Sequence, residues 1–121
     1  MSDQKSPRCR VDDEDLAEIL DLLANRWTVV TVTALEQGRS RFGEVRDMTG
    51  MSAQLQSKTL KRLEASGLVD RTVYAEVPPR VEYELSSLGE SLCPVMRSIN
   101  GWADEHADEV IAARAARAVD A

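Results

Sequence analysis

Gln54, Ser57, Lys58, Lys61 and Arg62 crowd into one short segment, and Arg71 and Arg80 follow it. At 100° per residue, Gln54, Lys58, Lys61 and Arg62 fall on one side of a helix whose other side carries Leu60 and Leu63. Such a set holds donors and cations but no base that could take a proton from a nucleophile. Its chemistry is recognition. A glutamine amide pairs with adenine and a lysine with guanine, while guanidinium and hydroxyl groups suit phosphate oxygens. A helix lying in a major groove reads bases with its N-terminal turns. Gln54 and Lys58 are therefore the candidate base readers, and Ser52 and Ser57 can donate to a phosphate or a base edge. Lys61, Arg62 and Arg71 fall where backbone contacts would lie. Arg39 and Arg41 stand at the start of a shorter helix, where cations gain nothing from the helix field but a phosphate would suit the free N–H groups. Arg80 follows Pro78-Pro79 directly, placed to reach an adjacent minor groove or its phosphates.

Five helices and a hairpin must position these residues. Leu16, Ile19, Leu20 and Leu23 recur at helical spacing, predicting a first helix over residues 13–24 that opens on the acidic run Asp12–Asp15. Trp27, Val30, Ala34 and Leu35 mark a second helix ending at Gln37-Gly38; Trp27 reads as a buried anchor or as a stacking platform. Ser40 is expected to cap a third helix, Arg41–Met48, with Phe42 and Val45 inward. Thr49-Gly50-Met51 forms a turn, and Ser52 caps a fourth helix, Ala53–Ala65, stopped by Gly67. Two strands follow, Val69–Tyr74 and Val81–Leu85. Val81, Tyr83 and Leu85 alternate with Arg80, Glu82 and Glu84, a period of two with one buried face, and Glu82 and Glu84 are expected to point away from DNA. Ser87 with Glu90 reads as a capping box for a long last helix, and Pro94 is expected to kink it. A basic helix feeding a two-stranded flap with a stiff tip is the pattern of a winged helix-turn-helix. The fold class is thus mainly α with a small β-hairpin, in the α+β sense.

Leu88, Leu92, Val95, Ile99, Trp102 and His106 make a coiled-coil-like stripe along the last helix. That helix is longer than a domain of 121 residues can cover, so the stripe predicts a homodimer seam. Leu16, Ile19, Leu20, Leu92, Val95, Ile99 and Trp102 are the expected interface residues. The expected organisation is one domain over residues 1–121: an N-terminal arm at 1–11, dimerisation helices at 12–24 and 87–118, and a DNA-binding core at 26–86 with its wing at 69–85.

The net charge of −6 argues against nucleic acid until its distribution is read. Residues 1–38 carry a net −4, residues 39–80 a net +3 and residues 81–121 a net −5. Screening acts over roughly 8 Å at physiological salt, so the local field counts more than the total. Apolar residues make up 43% of the chain, enough for a core, and no apolar run reaches membrane-spanning length. The chain is expected to be soluble and cytoplasmic, with no membrane partner. Cys9 and Cys93 make no disulfide framework, no metal-ligand spacing occurs, and His106 is the single histidine. No enzyme activity, cofactor or metal is expected.

Arg41-Phe42-Gly43-Glu44-Val45, Gly50-Met51-Ser52, the run Leu60–Val69 and above all Arg71–Leu85, with its Val77-Pro78-Pro79-Arg80-Val81-Glu82-Tyr83, resemble the HxlR-type winged helix-turn-helix family, a MarR-like group. The resemblance covers about Cys9 to His106. Asn25-Arg26-Trp27 stands where the family has Gly-Lys-Trp. Gln56 stands where the family carries an apolar residue, which leaves Leu55 as the substitute inward side chain. The resemblance implies a bacterial or archaeal transcriptional regulator, homodimeric through its terminal helices and binding palindromic operators in double-stranded DNA. Some members of the family sense oxidants or electrophiles through a cysteine near the N-terminus. Cys9 matches that position, and Arg8 and Arg10 beside it would favour the thiolate.

The expectation is a sequence-specific, homodimeric repressor answering to a redox, electrophile or small-molecule signal. The alternative is a winged-helix module that binds protein without DNA.

Overall fold

The computed structural model describes residues 11–120. Cys9 and the expected arm, apart from Val11, lie outside the described residues. The element order is α1 (Asp13–Ala24), α2 (Arg26–Leu35), β1 (Ser40–Arg41), α3 (Phe42–Thr49), α4 (Ala53–Ala65), β2 (Val69–Tyr74), β3 (Arg80–Leu85) and α5 (Ser87–Asp120). The chain divides into two compact units, one ending at Glu90 and one, Ser91–Ala121, holding most of α5.

The helix starts follow from local chemistry. Asp12 caps α1 by accepting from the Asp15 N–H at 2.9 Å. Asn25 caps α2 by accepting from Trp27 N at 2.9 Å, so the residue that interrupts the apolar pattern is the one that starts the next helix. Ser52 caps α4 through Leu55 N. Gly50 ends α3 in the left-handed region at φ 71°, which lets the chain turn sharply into α4.

The core of the first unit is built from Leu22 of α1, Val32, Ala34 and Leu35 of α2, Val45 of α3, Met51 of the turn, Leu60 and Leu63 of α4, Leu68, Val69 of β2 and Leu85 of β3. Thr28 and Thr31 of α2 are buried with them, and the Thr31 hydroxyl donates to the Met51 sulfur at 3.6 Å. Trp27 is half-buried, with the Arg26 guanidinium 5.0 Å from its ring centroid, between the anchor and the open platform.

Three expectations are corrected. The hairpin is part of a three-stranded antiparallel sheet of order β1-β3-β2, with Ser40 opposite Tyr83 and Arg41 opposite Glu82. Ser40 is therefore a buried strand residue whose hydroxyl donates to Gly38 O, and Arg41 takes the N-cap position of α3. Arginine has no acceptor, so the cap is one-sided: the Glu44 carboxylate accepts from Arg41 N at 2.7 Å. At the start of α5 it is Ser86, not Ser87, that caps. Its Oγ accepts from Gly89 N and donates to Gly67 O, tying the helix to the end of α4. Third, Gln56 does not yield its inward place to Leu55: it is fully buried, while Leu55 is half-buried.

The α5 helix runs 34 residues, about 51 Å at 1.5 Å per residue, with Pro94 inside it. Cys93 and Met96 are its buried apolar side chains among the described residues, whereas Val95, Ile99 and Trp102 are 48–59% exposed. Leu92 is half-buried. On α1, Leu22 is the buried residue, Leu16 is half-buried, and Ile19 and Leu20 are exposed. Both helices thus carry apolar side chains that the single chain leaves uncovered.

Candidate nucleic-acid interface

The reading face is set by how α4 is held. Leu60 and Leu63 are sealed into the core, and Gln56 beside them donates from Nε2 to Phe42 O at 2.8 Å while Oε1 accepts from the Thr49 hydroxyl. The buried amide fixes α4 to both ends of α3. With that side locked, the helical repeat forces Gln54, Lys58 and Lys61 outward, and all three are exposed. With Ser57, Ala53 and Phe42 they line an open groove of about 580 Å³. Phe42 gives the groove an apolar floor and leans on Tyr83, with ring centroids 6.5 Å apart.

Lys58 and Lys61 make no ion pair among the described residues. Arg62 differs. It lies off the groove, and its Nη2 sits 3.4 Å from the Asp21 carboxylate on α1. The Ser52 oxygen is engaged as a cap acceptor, which leaves its proton free to donate outward. Arg71 is exposed on β2, opposite Tyr83.

The wing arginines are brought together with carboxylates. Arg39 donates from Nε to Glu84 at 2.7 Å and from Nη1 to the Tyr74 hydroxyl at 2.6 Å. The hydrogen bond from Arg39, more than its charge alone, holds the Glu84 carboxyl below the usual carboxylate range, although partial desolvation works against it. The same bond pushes the Arg39 guanidinium further up. Arg80 lies 4.1 Å over the Tyr74 ring and pairs with Glu76 and Glu82, each at 3.2 Å. Arg41 Nε is 4.0 Å from Glu82. Glu82 and Glu84, expected to point away from DNA, lie against these cations. Because β1 adds to the sheet, β3 is its central strand. Arg80, Glu82 and Glu84 share one face of β3 by the strand period, and Arg41 opposite Glu82 and Tyr74 opposite Arg80 join them there from the two neighbouring strands. The strand pattern places Glu82 and Glu84 on the face of Arg80, whereas only the contacts reveal Tyr74 and Glu76 as parts of the site.

Residues 22–111 match the HxlR-like helix-turn-helix family. The chain belongs to that family. As an HxlR-like protein it is a transcriptional regulator of the HxlR/MarR-like type. It is 35% identical over 102 residues to the uncharacterized HTH-type transcriptional regulator YtfH of Escherichia coli, covering 84% of this chain and 81% of that one. Among solved structures, the redox regulator HypR in its reduced form is similar at a TM-score of 0.72 and 29% identity, over 81% of this chain and 98% of that one. Diamide-treated YodB from B. subtilis is similar at a TM-score of 0.66 and 28% identity, over 84% of this chain and 94% of that one. Among the described residues of the HxlR-like chain, no helix is long and apolar enough to cross a membrane.

Proposed function

We propose that this chain is a cytoplasmic, homodimeric, sequence-specific DNA-binding repressor with no enzymatic activity. One observation carries the reading. Gln54, Ser57, Lys58 and Lys61 line a single open groove on the outer side of α4, while the opposite side of that helix is locked into the core. Donors on a rigid element at the N-terminal turns of an exposed helix suit base edges in a major groove. The arginine-bearing sheet face suits phosphates.

Pairing of two chains is supported by the uncovered Ile19 and Leu20 of α1 and Val95, Ile99 and Trp102 of α5. A dimer presents two reading helices to two half-sites, whose spacing of about 34 Å per turn it must match. Covering a palindromic operator in this way blocks transcription sterically. The signal is an oxidant or electrophile acting at Cys9, flanked by Arg8 and Arg10. The likeness to HypR and YodB, the one named as a redox regulator and the other studied after diamide treatment, supports that choice.

A protein-binding module without DNA contact is the second reading. It is favoured by the net charge of −6 and by the carboxylates that accompany Arg39, Arg41 and Arg80. A salt titration of binding to duplexes selected from a random pool separates the two. DNA binding loses affinity steeply as salt rises, and a protein-binding module retains no duplex at any salt. Cys9→Ser is expected to keep DNA binding and to lose release by diamide. Release that survives in Cys9→Ser removes Cys9 from the mechanism.

A further inference from the structure

The Glu82 carboxylate lies within 4.0 Å of three guanidinium groups, one from its own strand and two from the segment around β1. Arg80 Nε is at 3.2 Å, Arg39 Nη1 at 3.9 Å and Arg41 Nε at 4.0 Å. The Glu82 side chain is 17% exposed, against 28%, 42% and 59% for the three arginines, so the anion sits beneath and the cations stand above it. The carboxylates near it are less connected: Glu84 on the same strand ion-pairs with Arg39, and Glu76 in the hairpin loop with Arg80. Glu82 is the one carboxylate among the described residues that all three share.

Three guanidinium groups gathered this closely repel one another unless an anion stands between them. Arg80 shows how much of the arrangement is electrostatic. Its Nε is buried and, although 3.2 Å from Glu82, is not aligned for a hydrogen bond, so charge and the Tyr74 ring hold it. We propose that Glu82 is a positioning residue for DNA binding, which holds Arg39, Arg41 and Arg80 as one ordered set of donors for backbone phosphates without itself touching DNA. This rests on the DNA-binding reading above. Long side chains that are already ordered lose less freedom on binding, and this gain exceeds the repulsion that one shielded carboxylate exerts on the duplex.

The test exploits a conflict of sign. Glu82→Gln and Glu84→Gln each remove one negative charge, and by charge alone both should tighten binding and steepen its dependence on salt. Positioning predicts instead that Glu82→Gln weakens binding to a duplex selected by the wild-type chain by roughly tenfold. Its plot of log affinity against log salt should become shallower by about one or more. Glu84→Gln, which frees Arg39 alone, should change affinity far less. If Glu82→Gln binds as tightly as wild type or more so, or if the two variants behave alike, the proposal is overturned. A wild-type chain that retains no duplex overturns the DNA reading itself, and this inference with it. Should Glu82→Gln fail to fold, ¹⁵N relaxation of the arginine Nε–H groups in the free wild-type chain decides. Restricted motion at Arg39, Arg41 and Arg80 supports the role of Glu82, and freely mobile guanidinium groups refute it.

Discussion

The Gln56 side-chain amide donates to the Phe42 carbonyl at 2.8 Å, joining the first turn of α4 to the first residue of α3. A fully buried glutamine is costly unless its polar atoms are paired, and here the second atom accepts from Thr49 at the far end of α3. The two bonds set the angle between the helices of the reading unit. Gln56→Ala removes both bonds and leaves a cavity, and should destabilise the fold by about 2–4 kcal/mol in chemical denaturation. Gln56→Leu refills the space and should recover most of that stability. It should still bind a selected duplex more weakly than wild type, because volume is restored and the angle is not.

Lys58 stands in the groove with no ion pair among the described residues, so its charge is available to a ligand. Lys58→Ala should weaken binding to a selected duplex by about 1–3 kcal/mol and relax sequence preference at one position of each half-site. Fluorescence anisotropy with single-base variants of the duplex would measure both. Sedimentation should show the oligomeric state unchanged, because Lys58 lies on α4 and the uncovered apolar residues lie on α1 and α5.

The Arg39–Glu84 pair gives the wing an acid limit. The Glu84 carboxyl is held below its ordinary range, so its contribution is complete at neutral pH and is lost as pH falls through the lowered value. The Arg39 guanidinium is shifted upward and stays charged throughout, so it adds no dependence on the neutral side. Thermal unfolding of wild type and Glu84→Gln should therefore differ most near neutrality. The gap should close in acid, below the usual carboxylate range, and should not change between mildly acidic and mildly basic buffer.

Gly89 and Gly43 both sit in helices, yet Ala should act oppositely at the two. A Cβ at Gly89 would collide with the Leu68 carbonyl oxygen and lie 3.3 Å from the Leu85 side chain, where α5 begins against the end of α4. Helix propensity favours Ala by up to about 1 kcal/mol, but the clash is with backbone and should cost about 1–3 kcal/mol more than that gain. At Gly43 nothing lies within 4 Å, so Gly43→Ala should stabilise by up to about 1 kcal/mol. Melting temperatures of the two variants check the pair of signs.

The bounds of α1 and α4, the wing strands to within one residue and the inward Leu60 and Leu63 were all readable from side-chain period and capping chemistry. These are local signals. The parts that escaped depend on contacts between distant residues. A two-residue strand such as Ser40–Arg41 carries no periodicity, and its pairing with β3 is what brings Arg41 onto Glu82. The shift of the α5 cap from Ser87 to Ser86 turns on a hydroxyl that also donates to Gly67, a long-range bond. Gln56 looked misplaced because one-dimensional patterning counts polarity and cannot see that both ends of α3 supply it with partners. The strand period alone puts Arg80, Glu82 and Glu84 on one face of β3, but the approach of Arg41 to Glu82 was hidden, because it needs the third strand.

Asp21, the residue that meets Arg62, follows Ile19 and Leu20 directly on α1. The strut from α4 is thus anchored one step along the chain from apolar side chains that another surface would cover. A rotation of α1 by a fraction of a turn would move that anchor and drag on the flank of the reading helix. If the chain pairs and reads DNA as proposed, assembly and sequence readout are mechanically linked through a single exposed ion pair, weak enough to be broken and remade.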